Sequence, residues 1–121
     1  MELKSATLKL SALAHEGRLA VFRLLVETGH SGMPAGEIAR RMDVLPNSLS
    51  TNLNILAHAD LIASRREGRS IIYTARYEQM AALLAYLMKD CCGGSPEICA
   101  PLAEVVNQAA CCLPQPAPTA E

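Results

Sequence analysis

The stretch "MPAGEIARRM", Met33–Met42, is joined through Asp43-Val44-Leu45 to "PNSLSTNLNILAHADLI", Pro46–Ile62. Each half has helical periodicity. In the first, Ile38 and Met42 lie four apart and point inward, and Pro34 occupies a tolerated first-turn position. In the second, opened by Pro46, the leucines Leu49, Leu53 and Leu56 form a buried stripe. Two short helices joined by three residues fit a helix-turn-helix.

After Ile62 the pattern changes. "IASRREGRSIIYTA" has two β-capable arms around Glu67-Gly68, the mark of a hairpin. Its tip is read as carrying Arg65, Arg66 and Arg69. A hairpin directly after a reading helix makes a winged helix-turn-helix. Upstream, Leu3, Leu10, Leu13 and Ala14 share one stripe of a first helix. Leu19, Phe22 and Val26 mark a second helix over Arg18–Glu27, with Gly29 as its stop. Downstream, Met80, Leu83, Leu84 and Leu87 line one side of a last helix. The expected fold is mainly α, in the order α-α-α-α-β-β-α. Residues 1–90 form the winged domain, 91–112 a cysteine-rich segment that includes a further short helix, and 113–121 a disordered Pro-rich tail.

The fourth helix has a second face. Asn47, Ser48, Ser50, Thr51 and Asn54 are uncharged and able to donate and accept hydrogen bonds, as base edges in a major groove require. A solvated polar face is the plain alternative for the helix alone. Phosphate attraction has to come from Arg40, Arg41 and the wing arginines Arg65, Arg66 and Arg69. Charge supports this. Residues 31–76 hold six arginines against four acids, whereas residues 77–121 hold one lysine against five acids. Specific protein–DNA interfaces bury on the order of 1,000–2,500 Å² of protein, so a twofold dimer on double-stranded operator DNA is expected. The first and last helices are apolar enough to pair with a second copy.

At 121 residues the chain is one domain with a modest core. No segment approaches the roughly 18–20 apolar residues that span a bilayer, and "MELKSATLKL" has no continuous apolar signal core. A cytoplasmic protein without a membrane partner is expected, and its thiols stay reduced.

Three stretches carry a resemblance: "LSALAHEGRLAVFRLL", "AGEIARRMDVLPNSLSTNLNILAHADLI" and "SRREGRSIIYTA". Together they resemble the ArsR/SmtB family of winged-helix metalloregulatory repressors over roughly residues 8–90. The resemblance implies a dimeric repressor that its ligand releases from DNA, with no enzymatic activity and no organic cofactor. There are departures. Asn52 and Thr51 stand where members often carry His and a basic residue, and Leu45 stands where a polar cap is usual. The family's third-helix cysteine site is absent, because "AGEIARRM" has no thiol. His15, His30 and His58 are scattered and read as surface or satisfied residues.

Sulfur is concentrated instead in "CCGGSPEIC", Cys91–Cys99. A continuous helix would separate Cys92 from Cys99 by about 10.5 Å along its axis, too far to share an ion. Gly93, Gly94 and Pro96 break that helix and permit a loop that closes a three-thiolate cup from Cys91, Cys92 and Cys99. Soft ligands without nearby imidazole select a thiophilic ion, and zinc usually requires four ligands. Three thiolates satisfy As(III) or Sb(III), and the segment is similar to the C-terminal cysteine cluster of arsenic-sensing members. The expected inducer is therefore As(III) or Sb(III). A thiol-redox or persulfide sensor would use the same cysteines. A thiol enzyme would need a lowered thiol pKa, and a protein-interaction module would not need the arginines. Cys111 and Cys112 have no assigned role.

Overall fold

The computed structural model describes residues 1–89, together with Ala100, Pro101, Glu104 and Val105. Cys91, Cys92, Cys99, Cys111, Cys112 and the Pro-rich tail lie outside the described residues. Helices α1 (Leu3–Leu13) and α2 (Glu16–Thr28) come first, followed by a 3₁₀ turn at Gly29–Ser31. A short strand β1 (Met33–Pro34) leads into α3 (Ala35–Met42) and α4 (Pro46–His58). The strands β2 (Ile62–Glu67) and β3 (Ser70–Ala75) precede α5 (Tyr77–Met88). The chain divides into two compact units, Met1–Tyr86 and Leu87–Glu121. Ala100, Pro101, Glu104 and Val105 of the second are helical. Among the described residues no helix is long and apolar enough to cross a membrane.

The first unit is a winged helix-turn-helix. Its core gathers Phe22 and Leu25 of α2, Ile38 of α3, Leu53 and Leu56 of α4, and Leu61 beside the wing root. Leu25, Ile38, Leu56 and Leu61 have no exposed surface. Burying a leucine- or isoleucine-sized side chain stabilises a fold by about 1.5–3 kcal/mol, so these positions set the packing of α2, α3 and α4. Local chemistry sets the helix ends. His15 caps α2, its Nδ1 accepting from the N–H groups of Gly17 (3.1 Å) and Arg18 (3.4 Å). Gly29 ends α2 at φ 72, a conformation that costs a glycine little.

Three details differ from the sequence expectation. Pro34 is extended and precedes α3 instead of lying in its first turn. It belongs to β1, which pairs with β3 through Met33↔Tyr73 and Pro34↔Ile72 and completes a sheet of order β1-β3-β2. A proline can sit here because β1 is an edge strand and needs no donor on its open side.

The α1 stripe is split: Leu13 packs against the core, and the rest faces outward. Leu3 is 70% and Leu10 42% exposed, while Ala6, Lys9 and Ala12 are buried. Ala12 joins the core, and its small side chain allows close helix approach. Lys9 lies along the buried face, and its ammonium donates to Ser5 Oγ at 3.0 Å. Leu19 of α2 is likewise exposed, and Val21, Phe22 and Leu25 take the core side.

On α5, Leu83 is buried and Met80 packs against the core, but Leu84 and Leu87 are 51% and 53% exposed. At the start of α5, Arg76 donates to Glu78 (2.8 Å) and lies 3.5 Å from Asp60. Glu78 titrates below its ordinary value, because of a backbone N–H bond first and the Arg76 guanidinium second.

Candidate nucleic-acid interface

The turn between α3 and α4 closes tightly. Asp43 adopts the left-handed conformation at φ 54, and the N–H of Val44 reaches back to Ala39 O at 3.1 Å. This pattern satisfies the carbonyls at the end of α3 and reverses the chain in three residues. Leu45 precedes α4 in an extended conformation, and its side chain cannot cap the helix. Pro46 at the first helical position lacks an N–H, so one uncapped donor is removed by covalent structure. The positive end of the α4 dipole is left without a side-chain acceptor at the N-cap.

Helix α4 then sorts its side chains as its period predicts. Leu49, Leu53 and Leu56 are buried, and Asn47, Ser48, Ser50, Thr51 and Asn54 are exposed. Thr51 Oγ1 donates to Asn47 O at 3.2 Å, which leaves its lone pairs free to accept. Asn52 is half-buried and sits near Gly17 and His15 at the start of α2. It is packed against α2, apart from the exposed set.

The five arginines occupy three different environments. Arg40 and Arg41 at the end of α3 both pair with Glu37, Arg41 Nε at 3.1 Å from its carboxylate. All three lie within two turns of one helix, and both guanidinium-bearing side chains are more than half exposed. Exposed pairs of this kind contribute about 0–1 kcal/mol, so exchange of Glu37 for a phosphate is cheap. Arg66 and Arg69 form no ion pair among the described residues. Arg69 lies in the two-residue hairpin connection with Gly68, whose φ of 64 suits the first position of such a turn.

Arg65 is held elsewhere. Its Nε donates to Glu67 (2.7 Å), and its two terminal nitrogens donate to His30 O (3.1 Å) and Ser31 O (2.8 Å). Sequence reasoning grouped Arg65 with the tip. The distinguishing signal is the alternation of the strand. Arg65 pairs with buried Ile72, and Arg66 pairs with exposed Ile71. Directly opposed residues share a face of the sheet, so neighbouring arginines take opposite faces. Glu37, which partners both α3 arginines, was also not picked out from the sequence. Its spacing of three and four residues from Arg40 and Arg41 was the available clue.

Comparison with known proteins agrees with this architecture. Residues 13–65 match the model of a helix-turn-helix domain. An uncharacterized helix-turn-helix-type transcriptional regulator of Mycobacterium tuberculosis is 35% identical over 78 residues, covering 64% of this chain and 66% of the regulator. The chain thus spans just under two thirds of that relative's length. The biofilm growth-associated repressor of Agrobacterium fabrum is 30% identical over 83 residues, 69% of this chain and 68% of that protein. Among solved structures, the homodimeric winged helix-turn-helix DNA-binding domain of a possible ArsR-family regulator from Mycobacterium bovis superposes with a TM-score of 0.60. It is 29% identical, and the match covers 71% of this chain and 77% of that one. With an uncapped α4 whose outer face is polar, an arginine-bearing hairpin and these relatives, the chain belongs to the ArsR-type winged helix-turn-helix transcriptional regulators.

Proposed function

We propose that this regulator is a repressor that binds operator DNA as a homodimer and releases it on taking up As(III) or Sb(III) at Cys91, Cys92 and Cys99. The DNA-binding half of the reading is carried by one observation: α4 exposes five uncharged hydrogen-bonding side chains while all its leucines except Leu45 before it turn inward. Such a face reads base edges, and Arg66, Arg69, Arg40 and Arg41 supply the phosphate attraction that positions it. Dimerisation is supported by the outward leucines Leu3 and Leu10 of α1 and Leu84 of α5. The Mycobacterium bovis relative is itself homodimeric.

The metalloid half rests on the composition of "CCGGSPEIC". Three thiols replace the three hydroxyls of arsenous acid and release three waters, forming three As–S bonds with no change in oxidation state. Both arsenous acid and the product are neutral, so charge repulsion from DNA is not the switch. Release has to come from geometry. The cysteines follow α5 in sequence, and α5 begins at Tyr77, whose hydroxyl donates to Val26 O at 2.7 Å at the end of α2. A change in dimer geometry moves two reading helices off their groove spacing, and a coupling of about 1–3 kcal/mol suffices for a typical response.

The test is titration of a protein–operator complex with As(III), Sb(III), Zn(II), Cd(II) and an oxidant. Release is expected with the first two. Cys→Ser at Cys91, Cys92 or Cys99 is expected to leave DNA binding intact and abolish release. Release by oxidant alone would point to a thiol-redox sensor on the same residues.

A further inference from the structure

We infer that Arg65 is a positioning residue that clamps the wing to the body of the domain, and that the wing meets phosphate through Arg66 and Arg69 alone. The inference rests on the DNA-binding reading above. Three observations carry it. First, the sheet register places Arg65 on the face of Ile72, which is buried, whereas Arg66 shares the face of Ile71, which is exposed. Second, the Arg65 guanidinium already has three acceptors: the carboxylate of Glu67 and the carbonyls of His30 and Ser31. Glu67 neutralises its charge at short range, so it adds little to the field a phosphate would meet. Its planar fork fits two adjacent carbonyls in a way that a point-charge ammonium does not.

Third, the segment it grips is itself fixed. Gly32 lies so close under β3 that a Cβ there would come within 2.6 Å of Tyr73 O, at a φ of 71. β1 pairs with β3 immediately afterwards. From the other side the His30 ring meets the Tyr77 ring edge-on, with centroids 5.3 Å apart, and Tyr77 is tied to Val26 O. The 3₁₀ turn is therefore an anchored block between the wing and the first residue of α5. Arg65 fastens β2, the outer strand of the hairpin, to that block. Without it, β2 is held by β3 and its own root, and the tip must be ordered each time DNA binds.

The experiment measures binding to a mixed-sequence duplex of about 30 base pairs, long enough for two half-sites a helical turn apart, across a salt series. Arg66→Ala and Arg69→Ala should each weaken binding and, with one arginine lost from each protomer of the dimer, reduce the slope of log affinity against log salt by about 1.8. Arg65→Ala should weaken binding roughly three- to ten-fold, the cost of ordering an unpinned hairpin, with the wild-type slope retained. Arg65→Lys keeps the charge and stem and should behave like Arg65→Ala, whereas Arg66→Lys should stay close to wild type. In the DNA-free protein, amide exchange at Ile71–Thr74 should accelerate in both Arg65 variants and remain unchanged in Arg66→Ala. A lowered salt slope in Arg65→Ala, rescue by Arg65→Lys, or unchanged wing exchange would each overturn the clamp. If the wild-type chain failed to bind the duplex, the DNA reading would fall, and the exchange measurement would still decide the clamp.

Discussion

Helices α1 and α4 both carry leucines at helical spacing, and they use them in opposite ways. On α4, Leu49, Leu53 and Leu56 are buried and the polar face is left to solvent. On α1 Leu3, Leu8 and Leu10 face out, and Ala6, Lys9 and Ala12, with Leu13 beside them, take the inner side. The contrast lies in what each outer face is for. An exposed row of Asn, Ser and Thr costs nothing in water and offers hydrogen bonds to a groove. An exposed row of leucines is stable only as the minor part of a surface or as half of an interface. On the proposed reading, the first helix serves another protein surface and the fourth serves nucleic acid.

This contrast can be broken by substitution. The largest effect is expected inside: Leu53→Ala should lower the unfolding free energy by about 2–5 kcal/mol, read from denaturant melts, because it opens a cavity in the shared core. Next comes the outer leucine face. Replacing Leu10 and Leu84 together by Glu should weaken self-association on the order of a hundred-fold, since four leucines per dimer lose apolar contact. Sedimentation equilibrium reads this, and an unchanged dimer would place the interface elsewhere. On the polar face of α4, Asn54→Ala should cost about 1 kcal/mol of operator affinity. Its melting curve should match wild type, and a shifted melt would make Asn54 structural. The smallest effect belongs to Glu37→Gln, which should change stability by no more than about 0.5 kcal/mol. By freeing Arg40 and Arg41 it should tighten DNA binding at low salt, and weaker binding would show that Glu37 orients them.

The same contrast explains what the sequence made legible. The α3–turn–α4 unit was readable because its signals agree: Pro46 opens a helix, Ile38 and the three leucines keep one period, and Asp43-Val44-Leu45 is too short for anything but a tight turn. The α1 stripe was readable as a stripe but not as a direction. Periodicity reports that one face is apolar, and only the partner helices decide whether alanines or leucines fit the gap. For α5 the four apolar positions span more than one face, and the core takes Met80 and Leu83 and leaves Leu84 out. At the wing, counting charge near Gly68 put three arginines in one group. The face of Arg65 follows from pairing register, which requires knowing that Ile72 and not Ile71 is buried. Met33-Pro34 was too short to show a strand period, and its pairing with β3 is a tertiary fact. The cysteines proposed to bind the metalloid follow α5 in sequence and lie outside the described residues, so the proposal rests on their chemistry.

The most direct test of the account is fluorescence anisotropy of a duplex selected by the protein from a random pool, followed as arsenite is added to the wild-type complex and to Cys91→Ser, Cys92→Ser and Cys99→Ser. The account predicts that arsenite frees the duplex from the wild-type protein and leaves all three variants bound. Arsenite-driven release that survives in every variant, or a wild-type complex indifferent to arsenite, would contradict it.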